Sequence, residues 1–259
     1  MRWNTTAGCA VLSSYEYLSE VYDPLMDDAE SEKWGSYILS LLKEGDVLPP
    51  ARILETACGT GRITVPLAEA GYDVVAMDLS EEMLLKAQEK LCNAGLCAHF
   101  VSGDMTDFVL PSLAGAVVCA CDGVNYLTRD EQLIRFFTMC RQNLMKNGML
   151  AFDISSYNKL TKKLGNNFFY DDRDDITCFW QNRLKGDLLT MELALFIKKD
   201  AENLYKRLDE EHVQKAYRIS KIKKMLKDSG FRQVRCFNFL TEDEASEENE
   251  RIQFTAVKG

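Results

Sequence analysis

The sequence predicts an α/β protein: a seven-stranded, mostly parallel sheet with helices on both faces, a closing antiparallel hairpin, and an antiparallel β insertion after the fifth strand. Three observations predict it. Ala51 to Asp78, ARILETACGTGRITVPLAEAGYDVVAMD, reads as strand, glycine turn, helix and second strand, which is one parallel βαβ unit. From Ser80 to Ile154, short apolar runs alternate with stretches of helical periodicity. From Asn167 to Tyr217 the period changes to two, and the chain closes with a last helix and two more strand patterns.

Taken in order, Ser13 to Leu42 reads as two helices separated around Pro24, with Trp34, Ile38, Leu41 and Leu42 at helical spacing. Gly45 to Pro50 is a linker. Arg52, Ile53 and Leu54 open a buried parallel strand, and Glu55 sits at its carboxyl end, where open α/β sheets bind ligands. Gly59 and Gly61 have no Cβ, so the backbone there can take positive φ and approach a ligand closely. The helix from about Arg62 to Ala70 then starts with its N–H groups facing that ligand, and Gly71 ends it. Asp73 to Met77 is the second strand. Asp78 follows Gly61 by seventeen positions, near where a ribose-binding carboxylate is expected.

Ser80 N-caps a helix running to about Asn93, and Gly95 closes it. Cys97 to Val101 is a third strand, ending in Ser102-Gly103-Asp104-Met105. Leu113 to Cys121 is a fourth and leads into Asp122-Gly123-Val124-Asn125-Tyr126-Leu127. Arg129 to Met145 is an amphipathic helix stopped by Asn147-Gly148, and Met149 to Ile154 is the fifth strand. The insertion carries turn signals at Asp171 to Asp175, Lys185-Gly186-Asp187 and Lys199-Asp200-Ala201. Ser220 to Gly230 is the last helix. Phe231 to Leu240 and Arg251 to Lys258 form the closing hairpin, and the acidic stretch Thr241 to Glu250 between them reads as a solvated loop.

The 259 residues can bury one sizeable core, so a single α/β domain with an insertion is expected. Hydrophobic residues make up 46% and charged residues 27%, which is an ordinary globular balance. A formal charge of −9 with no Lys/Arg run disfavours bare phosphate backbone and points to a small-molecule substrate. The nine cysteines lack the paired spacing of a zinc site, so no metal is expected, and several sit in apolar runs as small hydrophobes do. A reducing cytoplasm is the expected compartment. No run approaches the roughly 20 apolar residues of a membrane span. The oligomeric expectation is monomer or homodimer.

The glycine turn decides which nucleotide fits. A dinucleotide fingerprint needs GxGxxG, and Thr64 stands where the third glycine would be, which counts against the alternative reading as a nicotinamide-dependent oxidoreductase. No GxxxxGK[ST] string occurs, so the P-loop is excluded. Glu55-Thr56-Ala57-Cys58-Gly59-Thr60-Gly61 resembles the first motif of the class I S-adenosylmethionine-dependent methyltransferases, with Ala57 where many members have glycine. The resemblance implies a Rossmann-like core that binds S-adenosylmethionine and releases S-adenosylhomocysteine. It places Glu55, Ala57, Cys58, Gly59, Gly61 and Arg62 around the methionine part, and Asp78 on the ribose. Leu79, Met83, Gly103, Asp104 and Met105 fall to the adenosyl part, with Asp104 accepting from the adenine amino group.

The likeness extends to Tyr15, Tyr22 and Asp23, because members with a Y-D-x-L-M type segment use it as a lid on the cofactor. Tyr22 could stabilise a sulfonium by cation–π attraction, worth roughly 0.5 to 2 kcal/mol. It also implies a division of the chain: residues 1–50 as a helical lid, 51–154 plus 218–259 as the core, and 155–217 as an insertion covering the site. Cys121, Asp122, Asn125 and Tyr126 would line the space where donor meets acceptor, with Tyr15 on the acceptor side.

Methyl transfer is an in-line displacement, so the protein mainly aligns the reactants and excludes water. An amine or hydroxyl acceptor must also lose a proton. Of the two histidines, His99 lies within the third strand and reads as structural, whereas His212 shares a strand face with Glu210 and Gln214. His212, Tyr126 and Asp122 are the catalytic candidates, and His212 and Gln214 also fall on the acceptor side. The acceptor atom, N, O or C, is left open, and a non-catalytic nucleoside-binding protein is the third possibility.

Overall fold

The predicted strands assemble into two sheets in a computed structural model of the chain, which describes residues 18–26, 28–199 and 204–259. The strands are β1 (Arg52–Thr56), β2 (Asp73–Asp78), β3 (His99–Ser102), β4 (Ala114–Cys119), β5 (Leu144–Ser155), β6 (Phe168–Asp172), β7 (Ile176–Lys185), β8 (Leu188–Lys199), β9 (Leu204–Lys215), β10 (Phe231–Asn238) and β11 (Arg251–Lys258). The helices are α1 (Tyr22–Leu25), α2 (Asp28–Glu44), α3 (Thr64–Glu69), α4 (Glu81–Asn93), α5 (Asp130–Asn143) and α6 (Ile219–Asp228). The main sheet runs β10-β11-β5-β4-β1-β2-β3, and the second runs β6-β7-β8-β9. β1 to β5 pair in parallel, while β11 is antiparallel to both β5 and β10.

Period-two alternation fills two cores, one on each face of the main sheet. Ile53, Val74, Ala76, Ala116, Val118, Met149 and Ala151 point to the face where Trp34, Ile38, Leu41 and Leu42 of α2 and Leu67 of α3 pack. Leu54, Val75, Met77, Val117, Cys119, Leu150 and Phe152 point to the face of α5 and α6. α2 therefore belongs to the core layer rather than to a lid, and among the described residues before β1 it is the short stretch around α1 that packs on the second sheet. There Val21, Tyr22 and Leu25 pack with Ile176, Cys178, Leu195 and Leu208.

Several boundaries differ from the sequence pattern. α3 starts at Thr64, not Arg62, because the chain is still turning through the glycines. β3 begins at His99 rather than Cys97, and His99 is an exposed edge residue 3.6 Å from the Asp73 carboxylate. β4 stops at Cys119 because Cys121 and Asp122 have φ of 59° and 52°, a left-handed turn that no strand can continue. α5 ends at Asn143 and β5 begins at once, Leu144 pairing with Ala114 ahead of a register shift near Asn147 at φ 63°. The loop 241–250 is not merely solvated: Glu247 accepts the Ile219 N–H that opens α6. Elsewhere the local rules hold, with the Ser80 hydroxyl capping α4 at the Met83 N–H and Gly186 at φ 66° turning β7 into β8.

Phe152 is fully buried and stacks on Phe254 with ring centroids 5.1 Å apart, joining β5 to β11. Phe152→Ala is expected to destabilise the protein by about 3–5 kcal/mol. A urea midpoint unchanged from wild type would show that the β5–β11 seam is not part of the stabilising core.

Candidate functional site

The strand order reverses between β1 and β4, and ligands of open α/β sheets bind at the carboxyl ends beside such a switch point. Glu55 near the end of β1 is buried and accepts a 2.7 Å hydrogen bond from the Thr64 hydroxyl. Burial pushes its carboxyl up to about 8, against the Thr64 bond and with help from nearby Asp78. The chain then turns through Ala57 at φ 52°, buried Cys58, Gly59 at φ 55° and Gly61 at φ 79°. A Cβ on Gly59 would meet nothing within 4 Å, so the space over the turn is open. A Cβ on Gly61 would lie 3.0 Å from that of Ala87, so this glycine lets α4 pack close.

Asp78 closes the turn from the tip of β2. Its Oδ2 accepts from the Gly59 N–H at 2.7 Å and its Oδ1 from the Ser80 N–H at 3.0 Å. Burial raises its pKa, opposed by those N–H groups. The Gly103 N–H donates to the Asp78 carbonyl, which brings Asp104 and Met105 to the same edge. Asp104 is exposed and accepts from the Thr106 N–H, while Met105 packs partly on the core. Leu79 is 74% exposed beside Asp78, and Met83 is buried.

α1 is fastened over this turn by Asp23. Its Oδ1 accepts from the Thr60 hydroxyl at 2.6 Å, Lys90 Nζ of α4 lies 2.7 Å from Oδ2, and Arg62 is 3.6 Å away. Burial alone would raise the Asp23 carboxyl, but the Lys90 and Thr60 bonds, with the charges of Lys90 and Arg62, hold it below its usual value. Its neighbour Tyr22 is half-buried among Cys121, Asp122, Tyr126 and Arg62, and burial raises its phenol well above the ordinary value.

The tips of β4 and β5 meet a charge network. Asp122 accepts from the Ser155 hydroxyl at 3.1 Å, the Gln214 amide at 3.1 Å and Arg251 Nη1 at 3.2 Å. Arg251 also binds Asp153 and lies 4.6 Å from the centroid of the Trp34 ring. Burial works against an ionised Asp122, but Arg251, Lys159 and Gln214 together hold its pKa below the usual value. For Asp153 burial prevails and the pKa is raised. The Tyr126 hydroxyl is 3.3 Å from His212 Nδ1, and His212 Nε2 is 3.0 Å from Glu210, with His212 and Glu210 both buried. A carboxylate only accepts, so this pairing assigns the imidazole proton to Nε2 and makes Nδ1 the acceptor for the tyrosine.

Tyr22, Cys121, Asp122, Tyr126, His212 and Gln214 thus converge, as do Glu55, Gly59, Gly61, Arg62, Asp78 and the Gly103–Met105 turn. Asn125 sits inside the wall instead: its amide donates to the carbonyls of Ser155 and Lys215 and its oxygen accepts from the Ser155 N–H. Tyr15 lies outside the described residues. Arg251 and Lys159 went unrecognised in the sequence; the one available signal was an arginine opening a strand whose next five residues are buried. Among the described residues no group of side chains could hold a metal, and no helix is long and apolar enough to cross a membrane.

Residues 53–148 match a family model described as "Methyltransferase domain". The Bacillus subtilis (strain 168) protein named "Putative methyltransferase YqeM" is 34% identical over 94% of this chain and 97% of its own length. The crystal structure of an S-adenosylmethionine-dependent methyltransferase from Clostridium acetobutylicum ATCC 824 superposes with a TM-score of 0.85 at 31% identity, over 95% of this chain and 99% of that one. The chain belongs to the class I S-adenosylmethionine-dependent methyltransferases. A less similar relative, the glycine/sarcosine N-methyltransferase of Aphanothece halophytica, is 29% identical over 53% of this chain and 52% of its own length. The cofactor is S-adenosylmethionine, and the methyltransferase edge fits it: the space over Gly59 is open, Leu79 offers an uncovered apolar side chain, and carboxylates stand at the tips of β1 and β2.

Glu55 gives a pH signature. Its folded pKa of about 8 lies above the ordinary glutamate value of 4.5, so the folded state keeps a proton that the unfolded chain has released. Stability from this group is complete below about pH 4.5 and is lost as pH rises to about 8, by up to about 1.4 kcal/mol per pH unit. Thermal unfolding of the cofactor-free enzyme from pH 6 to 9 is expected to show this decline and Glu55→Gln to flatten it. Equal slopes would mean that Glu55 is ionised in the fold.

Proposed function

We propose that this methyltransferase moves a methyl group to the nitrogen of a small-molecule amine, with Tyr126 as the group that receives the acceptor's proton. The observation that carries this is the chain of Tyr126, His212 and Glu210 beside an Asp122 held ionised. The cofactor supplies an electrophilic methyl carried on a sulfonium. An amine attacks only through a free lone pair, and its nitrogen gains positive charge as the bond forms. Asp122, held anionic by three donors, is a weak base but a favourable neighbour for that charge. Tyr126 can accept a proton as it passes its own to His212 Nδ1, leaving an imidazolium paired with Glu210. The Aphanothece relative, by name a glycine/sarcosine N-methyltransferase, supports a nitrogen acceptor.

On the donor side, the proposal gives Asp78 the ribose hydroxyls, Asp104 and Met105 the adenine with Leu79 beside it, and Glu55, Gly59, Gly61 and Arg62 the methionine end. Tyr22 faces the sulfonium, where its ring attracts positive charge. Residues 155–217 then form the acceptor-facing cover, and Asn125 acts by fixing the wall.

Asp78→Asn is expected to weaken S-adenosylhomocysteine binding roughly 100-fold by titration calorimetry, since charge-assisted bonds to two hydroxyls are lost. Undiminished affinity would remove Asp78 from the ribose. With labelled cofactor and matched amine and hydroxyl acceptors of amino-acid and amino-sugar type, label is expected in the amines. Tyr126→Phe and His212→Ala should each lower kcat roughly 10²-fold or more and shift its pH profile, with cofactor affinity retained. Transfer to hydroxyls alone, or unchanged turnover in His212→Ala, would overturn the proposal, and cofactor binding without transfer to any acceptor would make the protein a sensor.

A further inference from the structure

Lys159 opens a five-residue π turn, Lys159–Lys163, four residues beyond the carboxyl end of β5. Such turns are rare and are frequently found at functional sites. Its side chain is half-buried within the electrostatic reach of Asp122, Asp153, Glu250 and Arg251, which places it at the acceptor end of the site. Every nearby carboxylate already has a cation: Asp122 and Asp153 share Arg251, and Glu250 is paired with Lys163. Among the described residues, Lys159 Nζ has no hydrogen bond and no carboxylate within ion-pair distance of its own. A half-buried ammonium next to a second cation is costly unless an anion joins it. Consistent with that, burial and the Arg251 charge both lower its pKa, more than Asp122, Glu250 and Asp153 raise it.

We propose that Lys159 is the specificity contact for an anionic group, carboxylate or phosphate, carried by the methyl acceptor. This rests on the methyl-acceptor site described above and adds to it the charge of the acceptor: an amine whose nitrogen meets Tyr126 and Asp122 while its anionic group meets the Lys159 ammonium. One charge of each sign would fix the molecule's orientation, so that only one nitrogen is presented to the donor. Because Lys159 must be protonated to bind, anion affinity falls as pH rises through its lowered pKa.

The test uses the full chain saturated with S-adenosylhomocysteine, heated in sodium acetate, inorganic phosphate or pyrophosphate against sodium chloride of matched ionic strength. In wild type, acetate or one of the phosphates is expected to raise Tm above the chloride control. Lys159→Arg should keep the effect, and Lys159→Gln should need roughly tenfold more anion for the same rise. Acetate alone would identify a carboxylate, and phosphate or pyrophosphate a phosphate. No anion exceeding chloride in wild type, or equal shifts in Lys159→Gln and wild type, would overturn the proposal. Unchanged S-adenosylhomocysteine affinity in both variants checks that the fold is intact. The Tyr126 and His212 variants test nitrogen transfer separately, so either proposal can fail alone.

Discussion

Arg251 enters from the last strand and sets one positive charge between Asp122 and Asp153, which leave neighbouring strand ends, and the shape of the β4–β5 edge follows from that placement. The antiparallel register of β11 on β5, with Arg251 opposite Ser155, delivers the guanidinium to the sheet's carboxyl edge. Its flat face lies near the rings of Trp34 and Phe239, and Asp122 takes further bonds from Ser155 and Gln214. A carboxylate left in this setting without the guanidinium would face a desolvation cost of several kcal/mol. The left-handed conformation of Cys121 and Asp122 is therefore kept by charge pairing rather than by local preference.

The glycine turn and the second sheet are joined through α1. Asp23 ties it to the glycine turn and to α4, Tyr22 lies within electrostatic reach of Cys121 and Tyr126, and Val21 and Leu25 pack on the second sheet. Arg173 at the β6–β7 turn donates to the carbonyls of Pro24 and Leu25, so the second sheet grips the backbone of the same four residues. Glu20 and Lys206 add an exposed pair, which contributes little on its own.

Local chemistry made the donor half legible in the sequence. Gly59, Gly61 and Asp78 lie within one βαβ unit, where spacing along the chain translates directly into spacing in the fold. The alternation of residues 167–217 likewise announced the second sheet. Strand and helix ends were less legible, because β4 stops where tertiary charge pairing bends Cys121 and Asp122 out of line. Asn125 looked like a site residue by its neighbourhood, yet its amide closes hydrogen bonds to Ser155 and to Lys215, ninety positions away. Arg251 and Lys159 were invisible for the same reason: they stand 129 and 37 positions from Asp122 along the chain, and no periodicity encodes such a meeting. His212 was recognisable as unusual, but its tautomer depends on Glu210 and Tyr126 being present together.

Fastening a single helical turn to both the glycine turn and the second sheet has a mechanical consequence. A displacement of α1 as a unit would break its bonds to Thr60 and Lys90 and those to Arg173 together, so the glycine turn and the β6–β7 turn are two arms of one lever. Ionic strength, by screening the carboxylate of Asp23 from Lys90 and Arg62, would loosen that lever at its glycine-turn arm first.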